Sequence, residues 1–306
     1  MNRPARVPPP LKKGDAIAVI TPAGPVSSQE RLARGCAILT EMGFEVINEA
    51  TPSSSDSHLA ADDTTRCAQL HRVLRDPAIK AVIAARGGFG TLRLLPHLDF
   101  DLISATPTWL IGFSDISILL NVITQRTGIV TLHGPVVSTL SELSSSAHER
   151  LYRCITEGVF NLIREPVEIL RGGTPVSGVC MGGNLTSLLS LLGTEWFPIQ
   201  HGAILFLEEV GEPMYRLDRM LTQLAYTGVF ANLSGIILGD FSGPEVSANN
   251  TKIHIEEFVW ERVLELTRPY ETPVWGKFPC GHDGRLIAMP IGCQVTMDSA
   301  RPCLRF

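Results

Sequence analysis

Between residues 16 and 133, short β-type runs alternate with helical apolar patterns, and that alternation admits few folds. Residues 16–21, 44–48, 81–84, 109–111 and 129–133 read as strands. The intervening helices carry Leu32, Cys36, Leu39 and Met42, then Cys67, Leu70, Val73 and Leu74, then Ile116, Leu119, Leu120 and Ile123. Ser27 followed by Glu30 fits a capping box before the first helix, and Gly43 stops it. Strands joined through helices lie parallel with right-handed crossovers, so the spacing predicts an α/β fold with a parallel sheet. Such sheets hold ligands at the carboxyl ends of their strands.

Two strand ends carry unusual residues. After the third strand comes Ala85-Arg86-Gly87-Gly88-Phe89-Gly90-Thr91, in which closely spaced glycines let a backbone approach a ligand and aim N–H groups at it. A dinucleotide fingerprint fails here, because Arg93 stands where the third glycine belongs, and no phosphate-binding G-x-x-x-x-G-K-[ST] occurs. The loop reads as an anion or oxyanion loop, or as a turn packed under a helix. After the fourth strand comes Gly112-Phe113-Ser114-Asp115, with a helical pattern starting at once. That is the arrangement of a nucleophile elbow, although Ile116 replaces its second glycine. A serine N-cap would use the same residues.

The second half holds the partners that a serine nucleophile needs. A hydroxyl is activated by a base, and the base by a carboxylate that fixes its tautomer. His282, displayed in Gly281-His282-Asp283-Gly284, is the histidine best placed for this role, whereas His133 reads as a core or rim residue. Glu208, Glu209, Glu212 and Asp240 all lie at or just beyond predicted strand ends, and spacing does not choose among them. The order serine, acid, histidine is that of α/β-hydrolases. Residues 165–178, with Pro166, Gly172, Gly173, Pro175 and Gly178, read as a crossing between domains. The expected division is therefore 1–160, a linker 161–177, and 178–306.

Composition narrows the partners. A net charge of −5 argues against nucleic acid, and no apolar run approaches the ~20 residues that span a bilayer. The N-terminus lacks a signal peptide's apolar core, and seven scattered cysteines read as reduced thiols of a cytosolic protein. Without C-x-x-C or H-E-x-x-H a structural or catalytic zinc site has no sequence support, and with both nucleotide fingerprints missing no cofactor is expected. A two-domain protein that simply holds a ligand's carboxylate is the reading outside enzymes.

Several blocks, taken together and in order, resemble the LD-carboxypeptidase family of serine peptidases, which includes murein tetrapeptide carboxypeptidases and microcin C immunity peptidases. They are Gly14-Asp15 through Thr21-Pro22-Ala23-Gly24, the glycine loop from Ala85 to Gly90, Gly112-Phe113-Ser114-Asp115 and Gly182-Gly183-Asn184-Leu185. Further blocks are Leu207-Glu208-Glu209-Val210-Gly211-Glu212 with Tyr215, Arg216, Asp218 and Arg219, and Phe278-Pro279 with Gly281-His282. The resemblance implies a flavodoxin-like N-terminal domain, a smaller mixed α/β C-terminal domain of swivelling type, an active site between them, and a homodimer. It implies Ser114 as nucleophile, His282 as general base and acid, and Glu208 as orienting carboxylate. It also implies oxyanion donors at the backbone N–H groups of Asp115 and Gly88. Arg86 and Gly87 are the candidates for contact with a small peptide substrate. The implied reaction releases D-alanine from cytoplasmic murein tetrapeptides, and chain length favours that branch over hydrolysis of a peptidyl-nucleotide amide.

Overall fold

A computed structural model of the chain describes residues 4–51, 58–158, 163–244, 246–248, 251–282 and 286–306. Its contacts divide it into two compact units, Met1–Val159 with Gly284–Gly292, and Phe160–Asp283 with Cys293–Phe306.

The first unit runs β1 (Ala16–Ile20), α1 (Gln29–Glu41), β2 (Glu45–Asn48), α2 (Asp63–Arg75), β3 (Ile79–Ala84), α3 (Phe100–Ala105), β4 (Trp109–Gly112), α4 (Ser117–Thr127), β5 (Thr131–His133) and α5 (Ser145–Thr156). Its strands pair in parallel in the order β2-β1-β3-β4-β5. This is the flavodoxin-like order, whose switch point lies between β1 and β3. Every residue of β1 and β4 is buried, as expected of strands covered by helices on both faces. Helix α4 is buried over nine of its eleven residues, so its apolar character runs around most of its circumference. The polar groups this buries are paired within the helix or just beyond it: Asn121 Nδ2 donates to Ser117 O at 2.7 Å and Thr124 Oγ1 to Ile129 O at 2.8 Å.

The second unit runs β6 (Glu168–Arg171), β7 (Val176–Asn184), α6 (Leu185–Leu189), β8 (Ile204–Val210), α7 (Met214–Tyr226), β9 (Gly235–Ser242), β10 (Val246–Ala248), β11 (Thr251–Ile253), α8 (Ile255–Leu266) and β12 (Val274–Gly276). After β13 (Met289–Ile291) follow β14 (Gln294–Asp298) and β15 (Cys303–Arg305). A seven-stranded sheet has the order β15-β14-β7-β8-β9-β12-β6. Its centre, β7-β8-β9-β12, is parallel, and its flanking strands are antiparallel.

The structure departs from the sequence reading in four places. Helix α1 is capped by Ser28, which accepts from Arg31 N, one residue later than the expected Ser27 box. The proline- and glycine-punctuated stretch read as a linker contains β6, because its breakers bracket an edge strand. The apolar periodicity of 252–266 predicts one long helix, whereas a short hairpin, β10-β11, takes its first residues and α8 starts at Ile255. Residues 284–292 belong to the first unit, where β13 adds antiparallel to β5. The apolar run 285–289 predicts a strand, and β13 starts only at the last of these residues, Met289; residue 285 lies outside the described residues.

β6 also ends a helix. Arg171 Nη2 donates to Leu264 O at 2.8 Å, and Nη1 to Thr267 Oγ1 at 2.8 Å and Thr272 O at 3.1 Å. A guanidinium here satisfies carbonyls left over at the C-terminus of α8 and meets the negative end of its dipole. Arg171→Met is expected to lower stability by about 1–3 kcal/mol. Urea denaturation of the full chain checks this, and an unchanged midpoint would contradict it.

Candidate active site

The serine stands at a bend that a side chain seldom tolerates. After β4, Phe113 is fully extended, and Ser114 takes a φ of 61°. Left-handed backbone costs a non-glycine residue roughly 1–2 kcal/mol. A 3-10 turn, Ser114–Ile116, then leads directly into α4, with Ile116 N–H bonded to Phe113 O at 3.2 Å. The Ser114 side chain caps neither the turn nor α4, and its hydroxyl has no hydrogen-bond partner among the described residues. The bend thus presents the hydroxyl instead of spending it on an N-cap.

The glycine loop packs against that bend. A Cβ on Gly87 would stand 2.9 Å from Ser114 Cβ and 3.2 Å from its Oγ, so only glycine fits there without displacement. Gly87 O accepts from Gly24 N at 3.1 Å, which ties the loop after β3 to the loop after β1. The Gly88 and Asp115 N–H groups have no hydrogen-bond partner among the described residues. Asp115 itself is buried: its Oδ2 accepts from Thr91 N at 2.9 Å and its carbonyl from Thr91 Oγ1 at 2.7 Å. Burial raises the Asp115 carboxyl above the usual range, against the lowering effect of the Thr91 bonds and the Arg66 charge. Arg86 donates from Nη1 to Pro25 O at 2.8 Å, so part of its guanidinium braces the neighbouring loop.

In the second unit, β8 carries the carboxylates inward instead of ending before them. Glu208 is 0% exposed. Between Leu207↔Leu238 and Glu209↔Phe241, one residue of β8 faces two of β9, a bulge centred on Glu208. The chain from Phe278 follows the bulged strand, with Phe278 N–H on Leu238 O and Asp240 N–H on Cys280 O. Gly281, at φ +137°, passes so close that a Cβ would lie 2.8 Å from Asp240 Cβ and 3.3 Å from Glu208 Cβ. His282 is thereby set over Glu208, with Nδ1 and Oε2 2.9 Å apart. Nδ1–H donates to the carboxylate, which leaves Nε2 as the basic nitrogen of a ring that keeps 23% of its side-chain surface exposed.

The other candidate acids have different duties. Glu209 accepts from Asn184 Nδ2, Thr186 N and Val210 N and so closes the start of α6. Glu212 pairs with Arg216. Asp240 acts on His282 through its charge. Contact with the histidine belongs to Glu208, a choice that sequence spacing left open. Burial pushes the Glu208 carboxyl up, with the His282 bond opposing. Burial also disfavours the charged form of His282, but the bond and charge of Glu208, aided by Glu209 and Asp240, outweigh it and hold the imidazole above its ordinary value.

A buried carboxylate bonded to a solvent-reaching imidazole has the chemistry of a general base. A serine hydroxyl without a hydrogen-bond partner among the described residues, at a strained strand-to-helix bend, has the chemistry of a nucleophile once a base removes its proton. His133 is buried on β5 with its ring 6.3 Å from that of Phe113, a core histidine as expected. Arg66, which donates to Gly90 O, and Asp63, which holds Arg66, brace the glycine loop and carried no signal in the sequence. Among the described residues no cluster of three metal-ligating side chains occurs, and no helix is long and apolar enough to cross a membrane.

Comparison with known proteins covers both units. The LD-carboxypeptidase N-terminal domain matches residues 17–134, and the LD-carboxypeptidase C-terminal domain matches residues 177–297. A probable murein peptide carboxypeptidase of Bacillus subtilis is 34% identical over 296 residues, covering 95% of this chain and 91% of its own. The murein tetrapeptide carboxypeptidase of Pseudomonas aeruginosa is 35% identical over 254 residues, 80% of each chain. In fold, the chain is similar to MccF in complex with glutamyl sulfamoyl guanosine, with a TM-score of 0.87 over 97% of both chains at 24% identity.

The electrostatics of His282 are directly measurable. Its imidazole is expected to titrate above about 6.5 in an NMR pH series, and Glu208→Gln to move the midpoint down by removing the charge that favours the imidazolium. A midpoint unmoved by Glu208→Gln would contradict the assigned pairing.

Proposed function

The chain belongs to the LD-carboxypeptidase family, and on that premise we propose that it is a serine-type carboxypeptidase that releases terminal D-alanine from cytoplasmic murein tetrapeptides. The observation that carries this reading is the bond from His282 Nδ1 to the buried Glu208, which leaves Nε2 to act as base. His282 takes the Ser114 proton as the hydroxyl attacks the carbonyl that joins the L-centre of a diamino acid to D-alanine. The oxyanion then faces the N–H groups of Asp115 and Gly88. D-alanine leaves with the proton from His282, and water, deprotonated by the same ring, hydrolyses the acyl-enzyme. Losing one oxyanion donor costs about 3 kcal/mol in comparable hydrolases.

A carboxypeptidase also has to bind the free carboxylate of its substrate. Arg86 takes that role with the nitrogens not engaged by Pro25 O, and Gly87 lets the peptide approach Ser114 closely. Relatives named for murein peptides, at 34% and 35% identity, support this substrate class. The reading includes a homodimer in the cytoplasm and needs no metal or cofactor.

Ser114→Ala and His282→Ala are each expected to lower D-alanine release from a murein tetrapeptide by about 10⁴-fold or more. A fluorophosphonate should label Ser114, and a chelator should change nothing. Activity that survives Ser114→Ala and falls with the chelator would overturn the mechanism. Faster cleavage of a peptidyl sulfamoyl nucleoside offered beside the tetrapeptide would move the substrate to the immunity type. Ligand binding without turnover or labelling would make the chain a binding protein.

A further inference from the structure

Arg66 is 1% exposed, yet it carries a charge at the start of α2, where the positive end of the helix dipole disfavours a cation. Its donors explain the burial. Nε donates to Ala61 O at 3.1 Å, Nη1 to Pro22 O at 2.5 Å and to Gly90 O at 3.1 Å, and Nη2 to Asp63 Oδ1 at 2.5 Å. Asp63 in turn holds Arg93, just past the glycine loop, at 2.9 Å. One guanidinium therefore fixes the loop after β1 and the loop after β3 at once.

The Gly90–Thr91 peptide is gripped from both ends. Its carbonyl points at Arg66, and its N–H points at Asp115 Oδ2. The Thr91 hydroxyl adds a bond to Asp115 O, on the same residue whose N–H is a candidate oxyanion donor. The other candidate donor, Gly88, lies two residues before that peptide. Resting on the function proposed above, we infer that Arg66 is a positioning residue for the reaction: through the Gly90–Thr91 peptide and Asp115 it fixes the separation of the Gly88 and Asp115 N–H groups. A planar guanidinium suits the task because its nitrogens reach several carbonyls in fixed directions, which an ammonium does not. The charge also compensates the buried Asp115 carboxylate along the same line.

Displacing an oxyanion donor by a fraction of an ångström impairs the transition state more than substrate binding. Arg66→Met is expected to lower kcat by about 10- to 100-fold per fluorophosphonate-titrated site. KM should stay within about threefold. The acidic limb of the pH profile, set by His282, should not move. Millimolar guanidinium should restore part of the rate to Arg66→Ala and none to the wild type. Asp115→Asn, which keeps the side-chain shape, should show the same split between kcat and KM and decides the matter if the Arg66 variants do not fold. Variants that melt earlier but keep the wild-type kcat per titrated site would overturn the inference and leave only a structural role. If the wild-type protein releases no D-alanine and is not labelled at Ser114, the proposed function and this inference fall together. If it is active and labelled while the variants are undiminished, the inference alone falls.

Discussion

The left-handed bend at Ser114 is the constraint that the first unit is built to hold. A residue kept at a positive φ costs about 1–3 kcal/mol and persists only where its surroundings over-determine it. Here β4 is buried on both sides, α4 is buried around most of its surface, and Asp115 is bonded twice to Thr91. None of these groups can relax the bend without exposing apolar surface or orphaning a buried polar atom. The strain therefore stays where it places the hydroxyl, clear of the capping bond that a relaxed serine would make.

The second unit handles an opposite problem, a charge in the wrong place. Glu208 lies at the centre of a parallel sheet with no exposed surface, where an ionised carboxylate is expensive. The bulge between β8 and β9 and the close passage of Gly281 bring an imidazole N–H to one of its oxygens. Both groups have raised pKa values, one from burial and the other from its partner's charge. The charge and bond of Glu208 thus raise the imidazole's affinity for a proton, while burial raises that of the carboxyl itself.

The fold of the first unit was legible because its information is local. Alternation of apolar runs with helical periodicity, from Ala16 to His133, marks each crossover without reference to distant residues. The second unit was less so. There β6 was hidden by Pro166 and Gly172, since an edge strand and a linker share the same breakers; in the first unit the exception is β13, which joins a sheet whose other strands end some 150 residues earlier. Ser114, the glycine loop and His282 stood out by their turn chemistry. Glu208 could not be separated from Glu209 by spacing, because neighbours on a strand point to opposite faces and only the pairing decides which face meets the histidine.

Sequence alone determined the chain's class, its parallel first sheet and the residue types available for acyl transfer, because hydrophobic period and turn residues act over a few positions. Tertiary structure decided which glutamate touches His282, that Ser114 keeps its hydroxyl unspent, and that a buried arginine in α2 grips two loops. Those outcomes depend on contacts between residues up to 74 positions apart, set by sheet register and burial, and no short window of sequence contains them.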